Sequence, residues 1–243
     1  MGPDLAFALS LADTADEITL GRFRAADLRI ETKPDLTPVS DADRAVEEAL
    51  RTRIAAERSG EIVVGEEQGA DGGDGARWIL DPIDATKNYV RGIPLFATLI
   101  ALEDRVAVVS APALARRWWA ERGEGAWSEG RRLAVSSVER IEDAVLTYTS
   151  LRGQPPGFDA FAAQAWAARG FGDFWQYMLL AEGAVDVCVE GTANLWDLAA
   201  PKLIVEEAGG RLTDLRGADT ADGGSALASN GRLHDAALAA LRG

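Results

Sequence analysis

Apolar positions recur with a helical period at the N-terminal end of the chain and with shorter spacing afterwards. Residues 4–20 place Leu5, Ala8, Leu9 and Ala12 on one face, which predicts an amphipathic helix. Residues 41–58 show the same period and predict a second helix. The apolar runs that follow are short and end in acids or turns, so they predict strands over 62–64, 78–80, 96–102, 106–110, 117–122 and 132–135.

The second half of the chain alternates between the two periods. Strands are predicted over 145–149, 185–189, 211–215 and 226–228. Helices are predicted over 158–168, 174–182 and 198–208, and a last helix from residue 233. Two helices, a β-rich middle and an alternating end predict an α+β or α/β fold built in layers, with one unit over 1–133 and a second over 134–243.

Charge and composition narrow the possible partners and the compartment. The 243 residues include 25 Lys and Arg against 39 Asp and Glu, a net charge of -14. This acidity disfavours binding to nucleic acid or to anionic membranes, because both need basic surface. The longest charge-free stretch, 92–102, is far shorter than the ~20 residues that span a bilayer. A single cysteine, Cys188, and the absence of a basic N-terminal leader predict a cytoplasmic protein.

Acidic residues gather at three places where predicted elements begin or end. Residues 65–67 and 81–84 each follow an apolar strand, and residues 194–197 precede a helix. Strand ends are where α/β sheets place their ligands. Carboxylate and carbonyl oxygens are the ligands that Mg²⁺ prefers. The sequence therefore points to a divalent cation site.

Local geometry indicates how these residues would share a site. Asp81 and Asp84 could face the same ion if the chain turns at the intervening proline, which could also direct the carbonyl of Ile83 inward. Glu66 and Glu67 are adjacent and would point in opposite directions on a regular strand, so one is expected to bind directly and the other through water. Residues 85–88 could open a short helix whose free N–H groups receive a phosphate.

Four segments together resemble the inositol monophosphatase family of Mg²⁺-dependent phosphomonoesterases. They are Gly-Glu-Glu at 65–67, Trp-Ile-Leu-Asp-Pro-Ile-Asp-Ala-Thr-Lys-Asn-Tyr at 78–89, Trp-Asp-Leu-Ala-Ala at 196–200 and Glu-Ala-Gly-Gly at 207–210. The resemblance implies a layered α-β-α-β-α sandwich, two or three Mg²⁺ ions in each site and a homodimer.

The resemblance also implies roles for single residues. The implied metal ligands are Glu66, Asp81, Asp84, Asp197 and the carbonyl oxygen of Ile83, with Glu67 acting through water. Asp43 would pair with Thr86 to orient the attacking water in a two-metal hydrolysis. Lys33 matches a loop near the third metal, and Ala85 and Thr86 match the phosphate-binding turn.

Ala85 departs from the family pattern, which has glycine at that position. If the backbone needs a positive φ there, alanine costs on the order of 1 kcal/mol. If φ is negative, the replacement is harmless. The departure leaves open a metal-binding protein whose activity is impaired at Ala85.

Residues 87–94, 110–120 and 172–174 look like the histidinol-phosphatase branch of the family. L-histidinol phosphate carries an ammonium and an imidazole, which the acid Asp173 could pair with. The alternative for Asp173 is a helix N-cap. Glu190 matches the acid that contacts the organic part of the substrate, and Arg169 would hold this region together.

Alternatives of two kinds remain at the level of sequence. Within the family, the substrate could instead be inositol 1-phosphate or a broader set of phosphomonoesters. Outside it, a cysteine phosphatase would need an arginine six residues after Cys188, where the chain has Asn194. The single histidine, His234, is predicted to lie at the surface rather than to carry a phosphoryl group.

Overall fold

The computed structural model describes residues 1–34, 37–71 and 73–242. Residues 35 and 36, which follow Lys33 closely in the chain, lie outside the described residues. The described chain forms seven α-helices and fifteen strands, in the order α1 (Pro3–Arg22), β1 (Ile30–Thr32), β2 (Pro38–Ser40), α2 (Asp41–Glu57), β3 (Ile62–Gly65), β4 (Gly69–Ala70), β5 (Arg77–Asp84), α3 (Thr86–Val90), β6 (Ala97–Leu102), β7 (Val106–Ala111), β8 (Arg116–Glu121), β9 (Gly125–Ser128), β10 (Arg131–Arg132), β11 (Val145–Tyr148), α4 (Phe158–Gln164), β12 (Ala167–Arg169), α5 (Asp173–Ala181), β13 (Val187–Glu190), α6 (Leu195–Glu207), β14 (Arg211–Thr213), β15 (Ala226–Ser229) and α7 (His234–Leu241).

Two large sheets organise these elements. The first has eight strands in the order β10-β9-β8-β7-β6-β5-β3-β4, and the second has five in the order β12-β11-β13-β15-β14. Helices α1 and α2 cover one face of the larger sheet, where Leu11 and Leu50 pack against Leu80. Helices α5 and α6 lie between the two sheets, and α4 and α7 cover the far face of the smaller sheet. The predicted α-β-α-β-α sandwich is therefore confirmed.

The central helices bury apolar side chains toward both sheets. One core cluster contains Leu99 and Val109 of the larger sheet, Leu203 of α6, and Cys188 and Ala228 of the smaller sheet. The larger sheet lies within residues 62–132 and the smaller within 145–229. The division of the chain at 133/134 stays a prediction, because a core shared across the two sheets does not reveal two separately packed units.

Two of the predicted elements are wrong in part. The helix expected over 158–168 ends at Gln164, because Ala165 turns into extended backbone and residues 167–169 pair with β11 as an edge strand. The strand expected over 132–135 is confined to Arg131–Arg132, and residues 133–135 are not strand. This short strand pairs with β9 in a hairpin that turns at Glu129 and Gly130, which have φ values of 50° and 74°. Such turns need two residues with positive φ, a requirement that hydrophobic periodicity does not report.

His234 is also placed differently from the prediction. Its side chain is fully buried, and its two ring nitrogens lie 3.0 Å from the hydroxyl oxygens of Thr213 and Ser229. Burial lowers its pKa to about 4, so it is neutral near pH 7 and acts as a buried structural residue. None of the described helices is long and apolar enough to cross a membrane.

Candidate active site

A cleft of about 700 Å³ opens where the end of β5 meets the N-terminal ends of α5 and α6. The lining residues come from both halves of the chain and include Glu66, Asp81, Ile83, Asp84, Ala85, Thr86, Asp173, Glu190 and Asp197. The structure thus gathers nearly all the residues singled out from the sequence. Asp43, Glu67 and Arg169 do not line the cleft among the described residues.

Three carboxylates converge at the floor of the cleft. Asp81, Asp84 and Asp197 each offer an oxygen, and these oxygens lie within 4.8 Å of one another. The pairing of β5 with β6 shifts register between Asp81 and Asp84, around Pro82. Asp197 approaches from the first turn of α6, where its carboxylate accepts the backbone N–H of Asn194 at 2.7 Å.

Burial and mutual repulsion disfavour the ionised forms of these three carboxyl groups. Desolvation, and then repulsion from neighbouring carboxylates, raises the pKa of Asp81 and of Asp84 well above the ordinary value. The pKa of Asp197 rises to about 6, mainly through desolvation. Within the described chain, Oδ1 of Asp81 is buried and has no hydrogen-bond partner. An all-oxygen donor set with an orphaned carboxylate oxygen fits a hard divalent cation such as Mg²⁺.

Glu66 and Glu67 lie in the turn after β3, and both contact Lys33. The Lys33 Nζ atom lies 2.7 Å from Glu66 Oε1 and 2.5 Å from Glu67 Oε1. Burial lowers the pKa of Lys33, but its bonds to the two carboxylates outweigh that effect and hold the pKa above its ordinary value. The ammonium therefore balances the acids on this side of the cleft. Only Glu66 of the two reaches the cleft wall.

Asp43 lies behind Thr86, on the first turn of α2. The carboxylate is fully buried and accepts hydrogen bonds from the Ser40 N–H at 2.8 Å and the Ser40 hydroxyl at 2.5 Å. Thr86 Oγ1 lies 3.3 Å from Asp43 Oδ1 and 2.9 Å from the carbonyl oxygen of Ile83. The hydroxyl has one proton to share between these acceptors, and its lone pairs remain available on the cleft side.

Ala85 adopts the left-handed conformation, with φ 63° and ψ 43°. Of the two alternatives drawn from the sequence, the structure selects the one in which alanine is strained. Ala85 nevertheless holds the backbone geometry that a glycine would supply. Its carbonyl accepts the N–H of Asn88 at 2.8 Å, which closes the first turn of α3.

Asp173 is the first residue of α5, and its side chain lines the cleft. Its φ of 48° is positive, and the preceding Gly172 has φ 71°. The helix is capped by Gly172 without a side-chain cap bond, so the N-cap alternative for Asp173 does not describe this arrangement. Desolvation raises the pKa of Asp173 to about 6, and the nearby positive charge of Lys87 partly opposes this rise. Strained residues of this kind concentrate at functional sites.

Glu190 ends β13 on the same side of the cleft as Asp173. Its carboxylate accepts hydrogen bonds from the Thr149 hydroxyl and, at 3.0 Å, from Gln176 Nε2. Thr149 also accepts the backbone N–H of Asp173 at 2.9 Å. Desolvation raises the pKa of Glu190 to about 7. One polar network thus fixes both acids at this end of the cleft.

Sequence reasoning missed two residues of this network and one beside it. Thr149 directly follows β11, a strand end like those of the acidic motifs, so that signal was available. Gln176 and Tyr177 lie in the mostly apolar α5 and carry no local signal. Tyr177 is 3% exposed and is one of the residues that line the cleft, and its buried hydroxyl oxygen has no hydrogen-bond partner among the described residues.

Arg169 lies outside the cleft, on the edge strand β12. Its side chain is exposed, and its guanidinium donates to the carbonyl oxygen of Ala168 at 2.9 Å. Among the described residues, Arg169 makes no hydrogen bond or ion pair with Glu190 or Asp173, and its role stays a prediction.

Comparison with known proteins agrees with this geometry. The family model described as the inositol monophosphatase family matches residues 2–243. A histidinol-phosphatase of Mycobacterium tuberculosis is 53% identical, over 98% of this chain and 97% of the relative. A histidinol-phosphatase of Streptomyces coelicolor is 48% identical, over 98% and 96%. Among solved structures, an IMPase of Thermotoga maritima superimposes with a TM-score of 0.89 at 28% identity, covering 99% of this chain and 97% of that one.

Proposed function

The chain belongs to the inositol monophosphatase family, and we propose that it is a phosphomonoesterase that hydrolyses L-histidinol phosphate to L-histidinol and phosphate. The observation that supports this substrate is the division of the cleft into two ends. The metal end consists of Asp81, Asp84 and Asp197, and the organic end consists of Asp173 and Glu190. The first suits a phosphate held by divalent cations, and the second suits a cationic organic group.

The organic end favours a cationic substrate over a neutral polyol. L-histidinol phosphate carries an ammonium and an imidazole, whereas inositol 1-phosphate carries neither. Burial raises the pKa of Asp173 and of Glu190, and Lys87 offsets this only in part at Asp173, so a further positive charge would stabilise both carboxylates. A bound cation would supply that charge and would favour the ionised carboxylates. Two relatives with histidinol-phosphatase names and about half of their residues identical support the same substrate.

We propose that Asp81, Asp84, Asp197, Glu66 and the carbonyl oxygen of Ile83 hold two or three Mg²⁺ ions, with Glu67 acting through water. When bound, Mg²⁺ neutralises phosphoryl oxygens and makes water a better nucleophile. Lys33 forms ion pairs with the Glu66 and Glu67 carboxylates. A cation that binds Glu66 therefore has to share this carboxylate with the ammonium group or displace it.

The pair formed by Asp43 and Thr86 would orient the attacking water. Asp43, with a pKa raised to about 6 mainly by burial, is largely ionised near pH 7 and would accept a hydrogen bond from the Thr86 hydroxyl, whose oxygen lies 3.3 Å away. The threonine oxygen would then present a lone pair to the cleft, where it would accept a hydrogen bond from the attacking water and orient it. Residues 85 and 86 would bind the phosphate through their backbone N–H groups, as the resemblance implies. Arg169 would support the organic end.

The remaining parts of the proposal concern assembly and location. We propose a cytoplasmic homodimer that binds neither nucleic acid nor membrane. Apolar side chains lie beside the edge strand β12, where Trp166 is 73% exposed and Phe171 41% exposed. A second copy covering this surface would remove it from water. Cys188, the single cysteine, is buried and free, which suits a reducing compartment.

Phosphate release from L-histidinol phosphate and from inositol 1-phosphate, measured side by side with Mg²⁺ and with EDTA, tests the function. We expect Mg²⁺-dependent release with a clear preference for histidinol phosphate. A preference for inositol 1-phosphate would overturn the proposed substrate and support the alternative substrate within the family. Absence of release from both would support the alternative of a metal-binding protein whose activity is impaired at Ala85. We do not expect this result, because Ala85 already adopts the left-handed conformation that a glycine would supply.

A further inference from the structure

A fully buried carboxylate, Glu47, lies beneath the turn that carries Glu66. The side chain of Glu47 is 0% exposed and projects from α2, one helical turn after Asp43. Its Oε2 accepts the backbone N–H of Glu67 at 2.7 Å, and its Oε1 accepts that of Gln68 at 3.0 Å. A charged group thus holds two of the three amides in the turn between β3 and β4.

Arg51 completes this arrangement from the next turn of the same helix. Its Nε atom donates to Glu47 Oε1 at 2.9 Å, and a terminal nitrogen donates to the Gly69 carbonyl at 2.5 Å. The arginine supplies the positive charge that a buried carboxylate needs. The two side chains together bind the turn at its N–H and C=O groups.

Gly65 shows how closely Glu47 approaches the backbone before Glu66. A Cβ atom at position 65 would lie 2.3 Å from Glu47 Oε1 and 2.4 Å from its Cδ atom. Contacts this short would force the carboxylate or the strand to move. The glycine of the Gly-Glu-Glu segment therefore leaves room for the carboxylate that binds the next turn.

We propose that Glu47 is a positioning residue that fixes Glu66 at the metal end of the cleft by binding the amides of residues 67 and 68. The inference rests on the proposed metal site. Glu66 follows the last residue of β3 and has its own N–H bonded to the Leu80 carbonyl at 3.3 Å. The hydrogen bond to β5 on one side and the hydrogen bonds to Glu47 on the other restrict the backbone position of Glu66. A ligand held in this way loses little freedom when the cation binds.

The test compares Glu47→Gln with a matched change at another buried carboxylate. Glutamine keeps the size of the side chain but sets an NH₂ group against one of the turn amides. The control is Asp186→Asn, because Asp186 is 4% exposed and accepts the Val145 N–H at 2.6 Å and the Ser136 hydroxyl at 2.5 Å, within the smaller sheet. Both variants should lower the melting temperature, so stability alone does not separate them.

Calorimetric titration of the substrate-free protein with Mg²⁺ separates the two roles. We expect Glu47→Gln to weaken Mg²⁺ binding by roughly 10- to 100-fold, the range seen when residues that support metal ligands are changed. Hydrogen exchange should become faster at the amides of Glu67 and Gln68. Asp186→Asn should leave Mg²⁺ affinity unchanged. With saturating Mg²⁺, the Glu47 variant should recover most of its kcat.

A double-mutant comparison asks whether Glu47 acts through Glu66. In a Glu66→Gln background, Glu47→Gln should weaken Mg²⁺ binding little further, because the ligand that it positions is already lost. Equal losses in both backgrounds, or unchanged affinity in Glu47→Gln alone, would overturn the proposal and leave Glu47 a structural residue. If Glu47→Gln does not fold, Glu47→Asp keeps the charge but shortens its reach, and the same results apply.

The two proposals fail in different ways. Absence of Mg²⁺ binding by the unsubstituted protein would overturn the metal site and the role of Glu47 together. Normal Mg²⁺ binding with hydrolysis of a different phosphomonoester would change the proposed substrate and leave the role of Glu47 in place.

Discussion

The backbone amide of Phe174 donates a hydrogen bond of 2.6 Å to Oδ2 of Asp84. The donor belongs to α5 between the two sheets, and the acceptor ends β5 of the larger sheet. Phe174 is 1% exposed and packs near Trp118, with 6.3 Å between ring centroids, so its amide has little freedom to move. The bond therefore fixes Asp84 relative to Asp173, which directly precedes Phe174. The metal end and the organic end of the cleft meet at this contact.

Replacing Asp173 by asparagine should raise the KM for L-histidinol phosphate roughly 10- to 100-fold. A hydrogen bond to a charged group contributes about 1.5–3 kcal/mol, and the substitution removes the charge. Asparagine tolerates the left-handed conformation of residue 173, so the backbone should stay in place. Steady-state kinetics at saturating Mg²⁺ measure the effect.

The KM for inositol 1-phosphate should not rise in the same variant, because that substrate has no cation to lose. Asp159→Asn, at an exposed position of α4, makes the same charge change outside the cleft and should leave both substrates unaffected. Equal losses for the two substrates would contradict the pairing of Asp173 with a cation.

Replacing Ala85 by glycine should stabilise the protein by roughly 1 kcal/mol, because alanine is strained at φ 63°. Turnover should stay unchanged, since the left-handed turn is already formed. Ala115→Gly is the matched control, because Ala115 is exposed, has φ 53° and lies outside the cleft lining. Urea unfolding and kcat of both variants test this, and a large gain in turnover confined to Ala85→Gly would show that the methyl group crowds the phosphate.

Replacing Tyr177 by phenylalanine should leave the unfolding free energy unchanged or raise it by about 1 kcal/mol, because the hydroxyl is buried without a partner in the described structure. Tyr89→Phe is the control, since the Tyr89 hydroxyl donates to the Thr19 carbonyl at 2.8 Å and its loss should cost about 1 kcal/mol. The KM of Tyr177→Phe for L-histidinol phosphate should rise if the substrate reaches this hydroxyl, because Tyr177 lines the cleft and its hydroxyl has no partner among the described residues. An unchanged KM would exclude contact with the substrate.

Mg²⁺ binding should weaken as the pH falls through about 6. The pKa of Asp197 is raised to about 6, and those of Asp81 and Asp84 lie well above their ordinary value. A raised pKa means that these groups hold protons at higher pH than usual, and each proton competes with the cation. The affinity for Mg²⁺ should therefore be greatest at pH values above these pKa values and should fall at lower pH.

Calorimetry in two buffers with different heats of ionisation counts the protons released when Mg²⁺ binds. The count should be higher near pH 6 than near pH 8. The Asp81→Asn variant should bind Mg²⁺ more weakly and release fewer protons. Affinity and proton release that do not change with pH would contradict the raised pKa values of the acidic trio.

The sequence alone determined the layered architecture and most of the candidate ligands. Alternation of apolar residues reports which side of a helix or strand faces a core, so α1, α2 and the central strands were predictable within a few residues. The acidic residues at the ends of these strands could be recognised because a run of buried positions stops there. Motifs in the order of the inositol monophosphatase family then indicated which acids are candidate metal ligands.

Only the tertiary structure determined how these residues act together. The convergence of Asp81, Asp84 and Asp197 depends on a register shift in β5 and on a helix more than a hundred residues away in sequence. Glu47 and Tyr177 have no distinguishing local pattern, because their roles come from the amides and the cleft that they face. His234 can be buried because the hydroxyl groups of Thr213 and Ser229, on two strands of the smaller sheet, satisfy its ring nitrogens. Local periodicity measures exposure along one element, whereas pKa, hydrogen bonding and metal binding depend on neighbours that folding brings from elsewhere in the chain.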